Sequence, residues 1–197
     1  MITFPAGLVP NNATPSMLEY GGVIRPATGA ETLNLRRNGN RFRVDMTLAP
    51  QTAEARRVAV ARLLAAKTEG LRVAYPLQGV DQSGGGSLVV NGAGQSGNAI
   101  ALRGGTPGFV IREGWWLSLV RADGRHYLHN VRAPWTIGGD GAALVAISPN
   151  LRHPFADGAT VNLAMPMIEG LVDGAISWNL QVGGIIDGIG FSIEEVA

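Results

Sequence analysis

Gly92-Ala93-Gly94-Gln95-Ser96-Gly97 has the spacing G-x-G-x-x-G, follows the strand-like run Leu88-Val89-Val90, and precedes an acid, Glu113. In a dinucleotide-binding unit such glycines let the backbone approach a pyrophosphate held at a helix N-terminus. That chemistry needs a helix directly after the last glycine. Here Asn98 to Arg103 is strand-like and ends in the breakers Gly104-Gly105-Thr106-Pro107. The glycines therefore predict the turn of a hairpin, and the nucleotide reading is set aside.

The other chemistry-bearing residues do not form a set. His126 and His129 are three apart on a predicted strand and point to opposite faces, and His153 sits beside Pro154 in a loop. No H-E-x-x-H or carboxylate cluster joins them, so no metal site is expected. Glu194 and Glu195 are adjacent on a C-terminal strand, face apart, and suit a paired acid and base poorly. There is no G-x-S-x-G elbow. Trp115-Trp116 could stack a sugar, but an aromatic at a strand start commonly belongs to a core. The arginines of the first hairpin could meet phosphates, yet only Phe42, facing inward, stands among them, which is weak support for nucleic-acid binding.

Composition narrows the classes further. The 197 residues suffice for one well-buried core, and 46% hydrophobic with 16% charged residues describes a folded chain. Cysteine is absent, which excludes disulfides, thiolate nucleophiles and thiolate-bound metals. No apolar run is long enough to span a membrane, and Met1 to Pro5 lacks the basic-then-apolar pattern of a signal peptide. Charge is uneven. Residues 1–72 hold ten basic residues against five acids, a net +5; residues 73–197 hold six against ten, a net −4. Such polarity steers nucleic acid, matches one protomer face to another, or simply reflects an uneven solvated surface.

The elements that must position these residues centre on Val44 to Leu77, read as strand, helix, strand. The helix is expected over about 52–69, with Pro50 and Thr52 at its start, Glu54 in its first turn and Gly70 at its end. Ala55, Ala59, Leu63 and Ala66 make a small-residue face suited to a sheet. Val60 and Leu64 face elsewhere, with Arg56, Arg57, Arg62 and Lys67 between them, so the helix is expected to be covered on more than one side. Residues 1–17, with Pro5, Pro10 and Pro15, read as an extended arm. Leu18 to Ile24 reads as a short strand. Asn38-Gly39 predicts a hairpin pairing Leu35 with Phe42 and Leu33 with Val44, with Phe42, Val44, Met46 and Leu48 on one face. That register opposes Arg36 to Arg41, a pair that would favour an acidic partner, for example on another subunit. The region 81–108 is a glycine-rich hairpin and loop. Asp123-Gly124 predicts a second hairpin pairing Val120 with Tyr127 and Trp116 with Val131, apolar on both faces and therefore central to a sandwich. Ala142 to Ile147, Ala159 to Ala164, Ile176 to Leu180 and Ile189 to Val196 complete a mainly β chain, a β-sandwich with one packed helix in a single domain.

In order, the chain carries Thr47-Leu48-Ala49-Pro50, the helix, Glu69-Gly70-Leu71-Arg72-Val73, Val90 to Gly97, Gly114-Trp115-Trp116, His126-Tyr127-Leu128, Ile147 to Arg152, Ala156-Asp157-Gly158 and Gly190 to Glu195. Over residues 18–197 this order and spacing resemble the short, belt-domain distal tail proteins of long non-contractile-tailed bacteriophages and gene transfer agents. The resemblance implies a β-sandwich belt assembled as a ring, six-fold in that family, joining the tail tube to the tip or baseplate hub. DNA would pass the lumen without sequence-specific binding. It implies a virion protein of the tail tip, assembled in the bacterial cytoplasm, whose partners are further copies of itself, the tube, the hub and the tape measure protein. It implies no catalytic residue and no cofactor. Larger relatives insert a carbohydrate-binding module for which this chain has no room.

A head-to-tail ring needs two unlike complementary surfaces per protomer. Arg36, Arg41, Arg56, Arg57 and Arg62 are the candidate subunit-interface residues. A tail tube subunit, a carbohydrate-binding β-sandwich module presenting Trp115, Trp116 and Trp135 together, and a nicotinamide-dependent enzyme remain the alternatives.

Overall fold

The computed structural model describes residues 1–5, 10–35 and 37–196. The elements run β1 (Ile2–Thr3), β2 (Pro10–Leu18), β3 (Gly22–Ile24), β4 (Leu33–Leu35), β5 (Arg41–Leu48) and β6 (Gln51–Thr52). Helix α1 (Ala53–Glu69) and β7 (Leu71–Ala74) follow, then β8 (Gly86–Val90), β9 (Gly97–Gly105), β10 (Val110–Ile111) and β11 (Trp116–Val120). The chain ends with β12 (His126–Val131), β13 (Trp135–Thr136), β14 (Ala143–Leu151), β15 (Val161–Asn162), β16 (Met167–Gln181) and β17 (Ile185–Glu195). The protein is mainly β, with several sheets packed together and one helix, as a sandwich with a single helix requires.

The larger sheet has the order β1-β7-β16-β17-β5-β2, with β6 also paired to β17. Its strands alternate as a half-buried antiparallel sheet must. Phe42, Val44, Met46 and Leu48 of β5 and Ile189, Phe191 and Ile193 of β17 are buried on one face. Arg43, Asp45, Ser192 and Asp173 are linked to one another on the other. The expected common face of β5 is therefore present. Ala59, Leu63 and Ala66 of α1, all fully buried, cover part of the apolar face. The side chain of Ala55 lies outside the described residues. Each large apolar side chain buried here contributes about 1.5–3 kcal/mol.

The second sheet has the order β15-β11-β12-β14-β9-β8. The β11–β12 pair stands between two cores. Leu128 and Trp116 belong with the core of the larger sheet. Leu117, Leu119, Tyr127 and Val131 belong to a second core with Leu102, Val145 and Ile147. This is the central position expected for that hairpin.

Several expectations need correction. Asn38-Gly39 does form a turn, but its flanks do not pair with each other. β4 pairs with β3, and β5 pairs with β2 and β17, so Met17 rather than Leu35 lies opposite Phe42. An apolar strand buried in a sheet gains from neighbours on both sides, and two long partners outweigh one short local one. Arg36 lies outside the described residues; Arg41 is paired across from Leu18. The arm is extended but packed: β1 runs parallel to β7, β2 forms the sheet edge, and Phe4 is buried. Pro10 and Pro15 suit that edge because they have no N–H to donate outward.

The Asp123-Gly124 hairpin is slipped by one residue. Trp116 lies opposite Asn130 and Leu119 opposite Tyr127. The loop is Ala122-Asp123-Gly124, closed by Arg121 N–H to the Arg125 carbonyl at 2.8 Å, with Gly124 at φ +80. A three-residue loop ending in a left-handed glycine replaces the two-residue turn. The slip puts Leu128 beside Trp116 instead of beside Leu117. β14 continues through Pro149, β15 is only two residues long, and β16 and β17 are longer than expected.

Candidate assembly surfaces

The predicted chemistry resolves into structure. Gly92, Gly94 and Gly97 all have positive φ and connect antiparallel β8 and β9. The Gly92 N–H donates to Asp157 Oδ1 at 2.7 Å and the Gly94 N–H to the Phe155 carbonyl at 3.2 Å, so these two amides are used internally. His129 is fully buried; its Nδ1 donates to the Pro149 carbonyl at 3.0 Å, and burial pulls its pKa down to about 3. His126 lies on the opposite face, within 3.4 Å of Ser118 Oγ and Asn162 Nδ2, its pKa lowered to about 4 by burial and by Arg72. The two do not converge. Trp116 packs on Phe42 and Tyr75 with ring centroids 5.0 and 4.4 Å away. Trp115 belongs to the other core and Trp135 is exposed, so the three tryptophans form no common platform.

The arginines behave individually. Arg41 donates from Nε and Nη2 to Glu194 Oε1 at 3.0 and 2.7 Å and from Nη2 to Tyr20 Oη, so its acid is in its own chain. Arg56 is buried, at 1% exposure, and donates to the Ala49 carbonyl. Its Nε and Nη1 have no partner among the described residues, and burial lowers its pKa. Arg57 is exposed and pairs with Glu54 one turn earlier at 3.1 Å. Arg62 donates to the Thr3 carbonyl at 2.6 Å, tying the helix to β1. Of the described helix arginines, Arg57 and Arg62 are exposed, flanking exposed Val58 and Leu64, and Lys67 adds a third exposed positive charge in the last turn.

Two apolar projections were not read from the sequence. Among the described residues the β3–β4 ribbon pairs with no further strand, and it exposes Val23, Ile24, Leu33 and Leu35. A cleft at its base is walled by Met17, Leu35, Arg37, Pro149 and Asn150. The tip of the β16–β17 hairpin exposes Leu180, Val182 and Ile185, with Val182 wholly open. Along β16, β7 pairs with Met167–Gly170. Beyond it Lys67 Nζ reaches the Val172 and Gly174 carbonyls at 3.3 and 2.5 Å. From Ala175 to Gln181 the outer edge of β16 pairs with no strand among the described residues. The two edges of this sheet are therefore unlike: proline-blunted at β2, open at the β16 tip. Alternation before Asn38-Gly39, in β4, was visible in the sequence, but not that no core would cover it.

The polar groups that join the sheets were also missed. Glu195 accepts the Phe42 N–H at 2.9 Å and the Leu128 N–H at 2.7 Å, while Arg152 lies over the Tyr127 ring. Burial raises the Glu195 pKa against the pull of Arg152 and those two amides. Arg72 donates to Glu169 Oε2 and to the Gly124 carbonyl, both at 2.6 Å, pinning the larger sheet to the β11–β12 loop.

No protein-family model and no curated protein matches this chain. No helix among the described residues is long and apolar enough to cross a membrane.

Proposed function

We propose that this chain is a structural ring subunit of the distal tail type, joining a tail tube to a tip hub around a lumen that passes DNA. The observation that carries the reading is the pair of unlike apolar projections, the β3–β4 ribbon and the β16–β17 tip. A self-complementary dimer uses one patch twice, whereas a head-to-tail assembly needs two different ones on each copy. The unlike edges of the larger sheet point the same way. Its polar face, where Arg43, Asp45, Asp173 and Ser192 are linked, suits contact with water in a lumen. The partners are further copies of the chain, then the tube, hub and tape measure proteins, and the site of action is the virion tail tip. The reading assigns no catalytic step. Light scattering with electron microscopy of the purified chain tests it: closed rings near six copies are expected.

A further inference from the structure

The end of the second sheet carries a cleft that the ring reading does not use. Its walls are Val80, Asp81, Ser83, Phe109, Arg112 and Trp115, around a volume of about 550 Å³. Phe109 and Trp115 are half-buried, with ring centroids 5.9 Å apart and planes inclined at 51°. Asp81 and Arg112 are exposed beside them. Arg112 makes no ion pair or side-chain hydrogen bond among the described residues, in contrast to Arg41, Arg43, Arg72 and Arg103, which all have acids.

The walls are fixed before any ligand arrives. Gln82, between the two rim residues Asp81 and Ser83, is buried at 1% exposure. Its Nε2 donates to the Trp116 and Leu163 carbonyls, both at 2.6 Å, and its Oε1 accepts the Trp116 N–H at 3.0 Å. The loop is thus stapled to the strand that begins beside Trp115. The Ser83 N–H donates to Asp81 Oδ1 at 2.8 Å, which orients the carboxylate. On the opposite wall the Trp115 N–H donates to the Arg112 carbonyl at 3.3 Å, holding both residues on one turn. Phe109 rests against the Gly84-Gly85 backbone, so close that a side chain at Gly85 would meet its ring.

We propose that this cleft binds a pyranose ring of a glycan. A pyranose has a C–H face that packs on aromatic rings and a rim of hydroxyls that both donate and accept. Phe109 and Trp115 supply the apolar surface, Asp81 an acceptor and Arg112 a planar fork of donors. A pocket of a few polar groups held rigid beside aromatic rings is the usual form of a small-ligand site. Fixing the groups beforehand removes an ordering cost from binding.

The test is calorimetric titration of the full-length protein with tetrasaccharides of glucose, galactose, N-acetylglucosamine and rhamnose. At least one is expected to bind saturably. Asp81→Asn and Arg112→Ala, both surface changes, are expected to weaken that binding at least about tenfold each with an unchanged melting temperature. Trp135→Ala should bind as the parent does. No saturable binding by any of the four sugars overturns the proposal, as does binding that neither surface variant weakens. Ring formation is judged by mass and not by sugar binding, so the two readings fail separately.

Discussion

Arg152 Nη2 lies 2.9 Å from Glu195 Oε2, with the two side chains 4% and 1% exposed. Glu195 also accepts two backbone N–H groups, one from each sheet, so a single carboxylate joins the halves of the sandwich. Removing one member leaves the other charge buried and unpaired. Glu195→Gln also turns an amide N–H₂ toward a backbone N–H. The variant is expected to lose about 3–5 kcal/mol in chemical denaturation. Glu195→Leu combined with Arg152→Met should lose less than the sum of the single changes, because no charge is then stranded. Additive losses would show that the pair does not act as a unit.

His129 gives the fold an acid sensitivity. Its folded pKa is about 3 against 6.5 for the free side chain, so between those values the unfolded chain binds the extra proton. Stability is therefore present above pH 6.5 and is lost as pH falls toward 3. At pH 5 the loss from this residue is about 2 kcal/mol. Burial raises the Glu195 pKa, so its contribution to the pH dependence has the opposite sign. Denaturation midpoints at pH 7.5 and 5 should differ less in His129→Gln than in the parent, and an equal difference would remove His129 as the cause.

Gly170 is required by close approach rather than by a turn. It pairs with Glu195 across β16 and β17, and a Cβ there would overlap the Glu194 carbonyl. Gly170→Ala is expected to cost at least about 2 kcal/mol by thermal or chemical unfolding, because backbone must move in the middle of the larger sheet. A change below about 0.5 kcal/mol would mean that the strands separate freely at this point.

The projections predict separable effects on assembly and folding. Leu180→Asp with Val182→Asp places charge at the exposed hairpin tip, and Val23→Asp with Leu33→Asp does so on the ribbon. Each pair should abolish assembly while shifting the melting temperature by only a few degrees. Mixing the two defective forms is also informative. In a head-to-tail contact each retains one intact surface, so mixed pairs should form but closed rings should not. Assembly unaffected by either pair would exclude these surfaces from the contact.

The sequence foretold best what local chemistry controls. Thr52 and Gly70 bracket α1 to within one residue of the expected ends. The glycines of 92–97 turned a hairpin, and Trp116 went to the core. Errors arose where a local signal had a distant competitor. Asn38-Gly39 forms its turn, but β2 and β17 claim β5 from outside the hairpin. Asp-Gly serves equally as a two-residue turn or as the end of a three-residue loop, and the one-residue difference moves Leu128 between cores. The buried charges were the least legible. Arg56 sits in a helical pattern like that of exposed Arg57, and Glu195 meets Arg152 from 43 positions along the chain. The glycan cleft was hidden for the same reason, since Asp81, Phe109 and Arg112 converge only in the folded sandwich.

The central claim is that this chain closes into a ring through two unlike surfaces. The most direct measurement is the mass of the purified protein by light scattering, with negative-stain images of the same fraction, alone and mixed with a tail tube. Closed rings near six copies, alone or on the tube, are predicted. Open filaments would assign the chain to the tube itself, and a monomer that never joins a tube would contradict the account.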